Sequence, residues 1–394
     1  MLWKEKGRVN ICVITPFYPV LGRDDIKTDT QAIHLLLKYL VKENSIHVFN
    51  INRINPRHLF KSIFKKGNSL RTQYDYTIDG IQATMLRYRA FPKQRQLTKA
   101  QVRAVKESIV STLSKNGFIP DVIVVHLPTA FSELTSGIYE RARKIAIMHR
   151  TDINFLSNRN SKISIIDSQY DLVACRSQSI RTRAEELGIT VANQIVYSGI
   201  PREYLDETRK HDFGGLDKCV KLLYVGKLIE RKHPEYMLDL CEDLNKNGIH
   251  ASVTIIGEGP LKEKLNAVKA SSIYGSEMEL ISSLERDEVQ KYMQAADIFV
   301  LPSVNETLGL VYLEAMAAGC ITVGVKNEGI DGIIIDCKNG FLVEPENYTS
   351  LYECVSSVIR MEKSQVEMIS QNAIDTACNC PEEVASENYL RIIS

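Results

Sequence analysis

The chain has 394 residues, of which 44% are hydrophobic and 25% charged, and its formal net charge is +1. Such a length exceeds what one core usually organises, so two domains are expected; the composition is that of a soluble globular protein, and the charge singles out no class of partner. No segment approaches the roughly 20 apolar residues of a spanning helix, and Pro16 and Pro19 interrupt the apolar run from Ile11, so neither a membrane span nor a secretory signal is expected.

In chain order, short β-branched runs alternate with longer amphipathic ones, the pattern of β-α units around a parallel sheet. Strands are predicted at 11–15, 46–50, 122–126, 145–149, 172–175 and 195–197, with the clearest helices at 28–43 and 97–115. Residues 202–218 turn polar, contain Gly214-Gly215 and lose periodicity, which marks an interdomain linker. A second series of strands follows at 222–225, 253–256, 278–281, 298–301 and 321–325, and the tail from Tyr348 has a helical pattern. The expected fold is α/β, with two Rossmann-like, doubly wound domains whose ligand cleft lies at the carboxyl ends of the strands. Residues 1–200 form the first domain in this plan, 201–218 the linker and 219–380 the second domain. Residues 381–394 form a helix able to pack back on the first.

Charge is uneven along the chain. Between Arg53 and Lys106 there are thirteen basic residues and two acidic ones, a net of +11. Within that stretch RHLFKSIFKK sets Leu59, Phe60, Ile63 and Phe64 on one helical face and lysines on the other. The segment fits a solvated surface over an amphipathic core helix. It equally fits a helix on an anionic membrane, where each basic residue contributes about 1 kcal/mol. Lys61, Phe64, Lys65 and Lys66 are its candidate acceptor- or membrane-facing residues. No nucleic-acid motif accompanies them.

Three places in the second half have the chemistry of a nucleotide site. The strand at 222–225 runs into Gly226, which permits a tight turn, and Lys227, Arg231 and Lys232 follow. Cations at a strand-to-helix turn suit a diphosphate through charge-assisted hydrogen bonds, although an exposed basic loop has the same sequence. Gly257-x-Gly259 lacks the third glycine of a dinucleotide fingerprint and is read as a tight turn with Pro260 at the first helical position. The third place is NETLGLVYLEAMAAG, residues 305–319, with a helix predicted from near Thr307 to just before Gly319. The first-turn amides of Thr307 to Leu310 would then be free donors. Glu306 either opposes the helix dipole or accepts ligand hydroxyls. Glu314 sits in an apolar run, where a ribose 2′,3′-diol would offer it two donors. In the first half, His126 and His149 end strands, and Asp152 follows three residues after the latter. A histidine at a strand end is more often packed than catalytic.

These motifs resemble a known family. YVGKLIERKH, IIGEGPLKEKL, AADIFVLPSVNETLGLVYLEAMAAGC and CKNGFLV stand in the order and spacing of family 4 retaining glycosyltransferases of the GT-B fold. The likeness covers the second half and thins earlier to IMHRTD and VYSGIPREYL. It implies metal-independent transfer of a hexose from a nucleotide-diphosphate sugar, with retention at the anomeric carbon. By this resemblance Lys227 and Lys232 stabilise the leaving diphosphate, Glu306 holds the donor sugar and Glu314 the ribose. Gly226, Thr307, Leu308, Gly309 and Leu310 line the donor, Gly22 contributes from the first loop, and His149 lines the reaction centre. The departing phosphate helps to deprotonate the acceptor, so no enzymic nucleophile is needed. Where the family has E-G-F-G this chain reads Glu306-Thr307-Leu308-Gly309, and the first loop has Gly22 alone where a Gly-Gly pair is common.

The expectation is therefore a GT-B glycosyltransferase using a UDP-sugar, with no cofactor, acting on a lipid-linked or polysaccharide acceptor of cell-surface glycan synthesis. GDP-mannose is the near alternative donor; a nucleotide-sugar epimerase and a non-catalytic sugar-nucleotide binder are the other readings. A nicotinamide dehydrogenase is disfavoured because neither half has an intact G-x-G-x-x-G. The nine cysteines show no C-x-x-C pair, and Cys378-Asn379-Cys380 is too tight for a usual zinc half-site. No metal is expected, and a cytoplasmic setting, peripheral at the inner face of the membrane, is.

Overall fold

The structure is a computed structural model that describes residues 7–20, 31–54, 73–89, 96–157, 166, 168–206, 213 and 219–394. Gly22, Lys61, Phe64, Lys65 and Lys66 lie outside the described residues. The chain divides into two compact units. The first comprises Met1–Arg176, Ile180–Ser198 and Ala385–Ser394, and the second Ser177–Ser179 and Gly199–Val384.

In the first unit seven strands form one sheet: β1 (Asn10–Thr15), β2 (Ser45–Ile54), β3 (Gln73–Ile78), β4 (Ile81–Arg89), β5 (Val122–His126), β6 (Arg143–Met148) and β7 (Leu172–Cys175). Their order is β3-β4-β2-β1-β5-β6-β7, parallel throughout except for β3 against β4. β1 and β5 are buried over nearly their whole lengths, as strands covered on both faces must be. The antiparallel β3–β4 hairpin lies within the stretch whose charge suggests only a basic surface. It turns at Asp79-Gly80, with φ of 48° and 79°, the Asp-Gly pair that suits a two-residue hairpin. The helix Lys99–Lys115 begins with a reciprocal cap: Thr98 Oγ1 accepts from the Gln101 amide, and Gln101 Oε1 from the Thr98 amide. The described helix after β1 runs from Ala32 to Lys38 and continues as a 3-10 turn, Leu40–Lys42. Two expectations need correction here. Residues 195–197 form no strand; Ile195 makes a single bridge to Cys175. The linker segment opens with a helix, Arg202–Asp206, that buries Tyr204 in the second unit.

The second unit has six parallel strands: β8 (Val220–Val225), β9 (Ala251–Ile256), β10 (Met278–Ile281), β11 (Ile298–Val300), β12 (Ile321–Val325) and β13 (Phe341–Val343). Their order, β10-β9-β8-β11-β12-β13, reverses direction between β8 and β11, which pair at Leu222 and Ile298. The loops leaving these two strands therefore diverge from one point of the carboxyl edge, where open α/β sheets bind ligands. Gly257 and Gly259 have a packing role. A Cβ on Gly257 would lie 1.9 Å from the Gly226 carbonyl oxygen, and one on Gly259 2.2 Å from that of Leu228. The Leu228 amide donates to Glu258 and the Leu261 amide to Leu228. These bonds hold the chain out of helix until Lys262, so Pro260 precedes the helix instead of opening it.

The last helix, Glu382–Ile393, returns the chain to the first unit from Ala385 onward. Tyr389, Ile392 and Ile393 join the apolar cluster of Ile33, Leu36 and Val48. The outgoing and returning segments pair beside each other at Ile200 and Pro381, and Gly199 is needed there because a Cβ would meet the Pro381 carbonyl at 2.4 Å.

Candidate functional site

The loop after β8 contains Gly226, Lys227 and a 3-10 turn, Glu230–Lys232. It is knitted to the loop after β11: the Val304 amide donates to the Arg231 carbonyl (2.9 Å), and Arg231 Nη1 donates to the Val304 carbonyl (3.2 Å). Glu306 lies across this junction. Its Oε2 is met by Lys232 Nζ at 3.1 Å, Arg231 Nη1 at 3.3 Å and the Ser303 hydroxyl at 2.9 Å. Oε1 makes no hydrogen bond among the described residues. Burial pushes the Glu306 carboxyl up, but the adjacent Lys232 and Arg231 outweigh it and hold it below its ordinary value. Glu306 is thus an ionised, mostly buried acceptor with one oxygen spent and one open.

The backbone around it is held in an unusual path. Asn305 and Gly309 both take left-handed φ values, 58° and 77°, so no helix can pass through them. The helix begins at Leu310 and ends at Ala317, with Gly309 as its N-cap. The expected start near Thr307 is corrected by three residues, and the first-turn amides without a described partner are those of Leu310 and Val311. Thr307 and Leu308 instead press their backbone on Gly329, where a Cβ would lie 2.5 Å from the Leu308 nitrogen. The Glu306 amide donates to Glu328 Oε2 at 3.0 Å, and Tyr312 Oη donates to the Leu301 carbonyl at 2.6 Å. Gly309 must lack a side chain because a Cβ would strike the Tyr312 ring at 2.7 Å. Gly319, at φ 83°, closes the helix with its amide on Met316 and that of Cys320 on Ala315.

Glu314 is 8% exposed on this helix. Its nearest cation is Arg286, whose Nη2 stands 3.9 Å from Oε1, beyond hydrogen-bond distance. Burial raises its carboxyl, with Arg286 opposing. Lys227 is exposed, and its carbonyl accepts from Tyr224 Oη at 3.1 Å. Gly226 faces Lys232, whose Cδ would sit 3.6 Å from a Cβ added there. The structure therefore brings Gly226, Lys232 and Glu306 together, and places Leu310 and Glu314 on the adjoining helix. Ser303 and Glu328 belong to the same cluster without a motif to announce them. Ser303 lies two residues before the 305–319 stretch, whereas Glu328 comes from the turn after β12.

In the first unit, His149 follows β6 and precedes the helix Arg150–Ser157. Its amide donates to Asp152 Oδ2 at 2.8 Å, and Asp152 Oδ1 accepts from the Thr129 amide and hydroxyl. Asp152 thus reaches back over the helix start as half of a capping box, and burial lifts its carboxyl to about 6. His149 Nε2 lies 3.0 Å from His126 Nδ1, and His126 Nε2 lies 3.0 Å from Tyr389 Oη. Burial holds both imidazoles well below the ordinary histidine range; His149 and Arg176 add to this at His126, and Arg176 at His149. Among the described residues no group of three histidine, cysteine or carboxylate side chains could hold a metal ion. Nor is any helix among them long and apolar enough to cross a membrane.

A parallel-sheet unit with a charged cluster at its switch point defines a class of protein before any relative is named, and the comparisons agree with it. Over 97% of this chain and 99% of the other, the structure superposes on HepE of Anabaena in complex with UDP, with a TM-score of 0.68 and 14% identity. A structure of HepE with UDP-glucose gives a TM-score of 0.65 at 13% identity, over 97% and 98% of the two chains. The fold is GT-B. Residues 206–375 match the family described as glycosyl transferases group 1. An uncharacterized glycosyltransferase of Methanocaldococcus jannaschii is 28% identical over 196 residues, 49% of this chain and 51% of that protein. The chain thus spans about half the length of that relative. The lipopolysaccharide core biosynthesis glycosyltransferase LpsE of Rhizobium meliloti is 22% identical over 279 residues, 70% of this chain and 76% of that protein.

Proposed function

We propose that the protein is a retaining glycosyltransferase of the family 4 type. It moves a hexose from a UDP-sugar to a lipid-linked or polysaccharide acceptor in cell-surface glycan synthesis. The observation that carries this reading is Glu306, which has one oxygen held by Lys232, Arg231 and Ser303 and the other open to sugar hydroxyls. An ammonium has three donors, so Lys232 can hold Glu306 and still meet a diphosphate, joined by Lys227 and by the amides of Leu310 and Val311. Glu314, buried and without a hydrogen bond among the described residues, suits the ribose diol. Stabilising the leaving diphosphate is then the main catalytic contribution, and it comes from cations and amides aimed at the charge that develops there. The departing phosphate takes the acceptor proton on the same face, without a metal ion. His149 stands at the carboxyl edge of the first sheet, where Rossmann-like domains take their ligands, and is assigned to the reaction.

UDP as the donor nucleotide is supported by the UDP and UDP-glucose complexes of HepE. The acceptor class is supported by the naming of LpsE. In this reading the protein works in the cytoplasm at the inner face of the membrane, with Lys61, Phe64, Lys65 and Lys66 as its contact. A thermal-shift and slow-hydrolysis screen of UDP-, GDP- and ADP-sugars tests it. UDP-sugars are expected to raise the melting temperature and to release UDP slowly. Stabilisation by GDP-mannose alone would move the donor to GDP-mannose, and binding without hydrolysis would make the protein a binder.

A further inference from the structure

The first unit contains a buried polar chain that the donor chemistry does not use. His126 closes β5, His149 follows β6 and Arg176 follows β7, so three adjacent strands deliver three cationic-type side chains to one carboxyl edge. Tyr389, on the last helix, completes the row: Tyr389 Oη to His126 Nε2 is 3.0 Å, and His126 Nδ1 to His149 Nε2 is 3.0 Å. Tyr389 and His126 are fully buried, and Arg176 nearly so. The row can be protonated in two ways. In one, Tyr389 donates to His126, His126 Nδ1–H donates to His149 Nε2, and His149 has its proton on Nδ1. In the other the donors run in reverse, and His149 has a bare Nδ1.

The two arrangements differ in what they leave unpaired. In the reverse arrangement the Tyr389 hydroxyl hydrogen needs a second acceptor, and Tyr389 has none among the described residues. A buried donor without a partner is costly. In the forward arrangement every interior donor of the row is used; Arg176, whose Nη2 donates to Ser198 Oγ at 2.5 Å, acts on Tyr389 through its charge. The same guanidinium disfavours protonating either imidazole, so the row stays neutral and keeps one direction. We infer that Tyr389 is a positioning residue that fixes the tautomer of His149, so that His149 presents an Nδ1–H donor to the sugar substrate at the carboxyl edge of the first sheet. The assignment of His149 to the reaction rests on the proposed function; the direction of the row does not.

The test is a long-range proton–nitrogen correlation spectrum of histidine-labelled protein at pH 7.5, for the full chain and for Tyr389→Phe. The wild-type spectrum is expected to show His126 and His149 as Nδ1–H tautomers. Tyr389→Phe, checked for folding by its unchanged circular dichroism, leaves His126 Nε2 without its partner in either tautomer, and is expected to weaken the Nδ1–H preference of His126 to a mixture and to shift His149 with it. An Nε2–H form of either residue in the wild type, or spectra indifferent to the substitution, would overturn the inference. A variant that fails to fold leaves the wild-type tautomers as the deciding result. Tyr389→Phe should also lower kcat with UDP-sugar about tenfold while its KM stays within a factor of two. Shifted tautomers with unchanged kcat would remove His149 from the reaction and leave the row as structure alone.

Discussion

At the carboxyl edge of the second sheet Glu306 keeps its charge, because Lys232 and Arg231 stand 3.1 and 3.3 Å from one oxygen. At the carboxyl edge of the first sheet His126 and His149 lose theirs, because burial and Arg176 oppose protonation. Both edges belong to parallel sheets in which the strand order reverses, between β8 and β11 in one and between β1 and β5 in the other. The topology is shared and the electrostatics are opposed. An ionised, half-paired cluster suits a ligand that brings charge and hydroxyls, a diphosphate sugar. A neutral, internally bonded row suits a group that offers single hydrogen bonds and no charge. In the proposed reading, similar strand-end positions serve binding in one sheet and orientation in the other, according to the charges placed behind them.

The largest expected break in this comparison comes from Glu306→Ala. It should lower kcat about 100-fold, some 2.7 kcal/mol, while the dissociation constant for UDP changes by less than threefold. Steady-state kinetics with isothermal titration decide it; an unchanged rate removes Glu306 from the site. A change of pH acts on the other unit. His126, His149 and His47, the last lowered to about 4 by burial, bind protons near 6.5 only when unfolded. Their stabilisation is full above that value and is lost as pH falls below it. Asp152 runs the other way, since its raised carboxyl of about 6 makes the charged form the unfavourable one, and protonation relieves that cost. Between pH 6.5 and 5.5 each histidine costs about 1 kcal/mol and Asp152 returns under 1, a net loss of about 2 kcal/mol from the first unit. Hydrogen exchange should show its strands opening before those of the second unit, and simultaneous opening would contradict the contrast.

Lys232→Ala should weaken UDP binding about tenfold, 1.4 kcal/mol, and leave uridine binding unchanged. Equal losses for both would sink the diphosphate role. The smallest effect concerns Lys61, Lys65 and Lys66. Replacing all three with glutamine should reduce sedimentation with anionic vesicles severalfold at low salt. Unchanged sedimentation would leave them as ordinary surface.

How much of this was legible in the sequence follows from distance along the chain. Apart from Glu328, the cluster of the second unit is drawn from two short segments, 226–232 and 303–314, so most of the charges and glycines that make it are visible as motifs. Strands such as β1, β5 and β12 announce themselves as β-branched runs. Other features depend on contacts that no local pattern reports. The helix start at Leu310 is set by the left-handed Asn305 and Gly309 and by Gly329 pressing on the chain from twenty residues away. Glu328 joins Glu306 through a backbone amide, and Tyr389 reaches His126 across 263 residues. The β3–β4 hairpin had its Asp-Gly turn in plain view, but it lies within a stretch of net charge +11 that reads as surface.

The central claim is that a nucleotide diphosphate is held by the charged edge of the second unit. Hydrogen–deuterium exchange with and without saturating UDP tests it most directly. Protection is predicted at 226–232 and 303–314, with the 122–157 region of the first unit unchanged. Protection confined to 122–157, or absent from the loops after β8 and β11, would contradict the account.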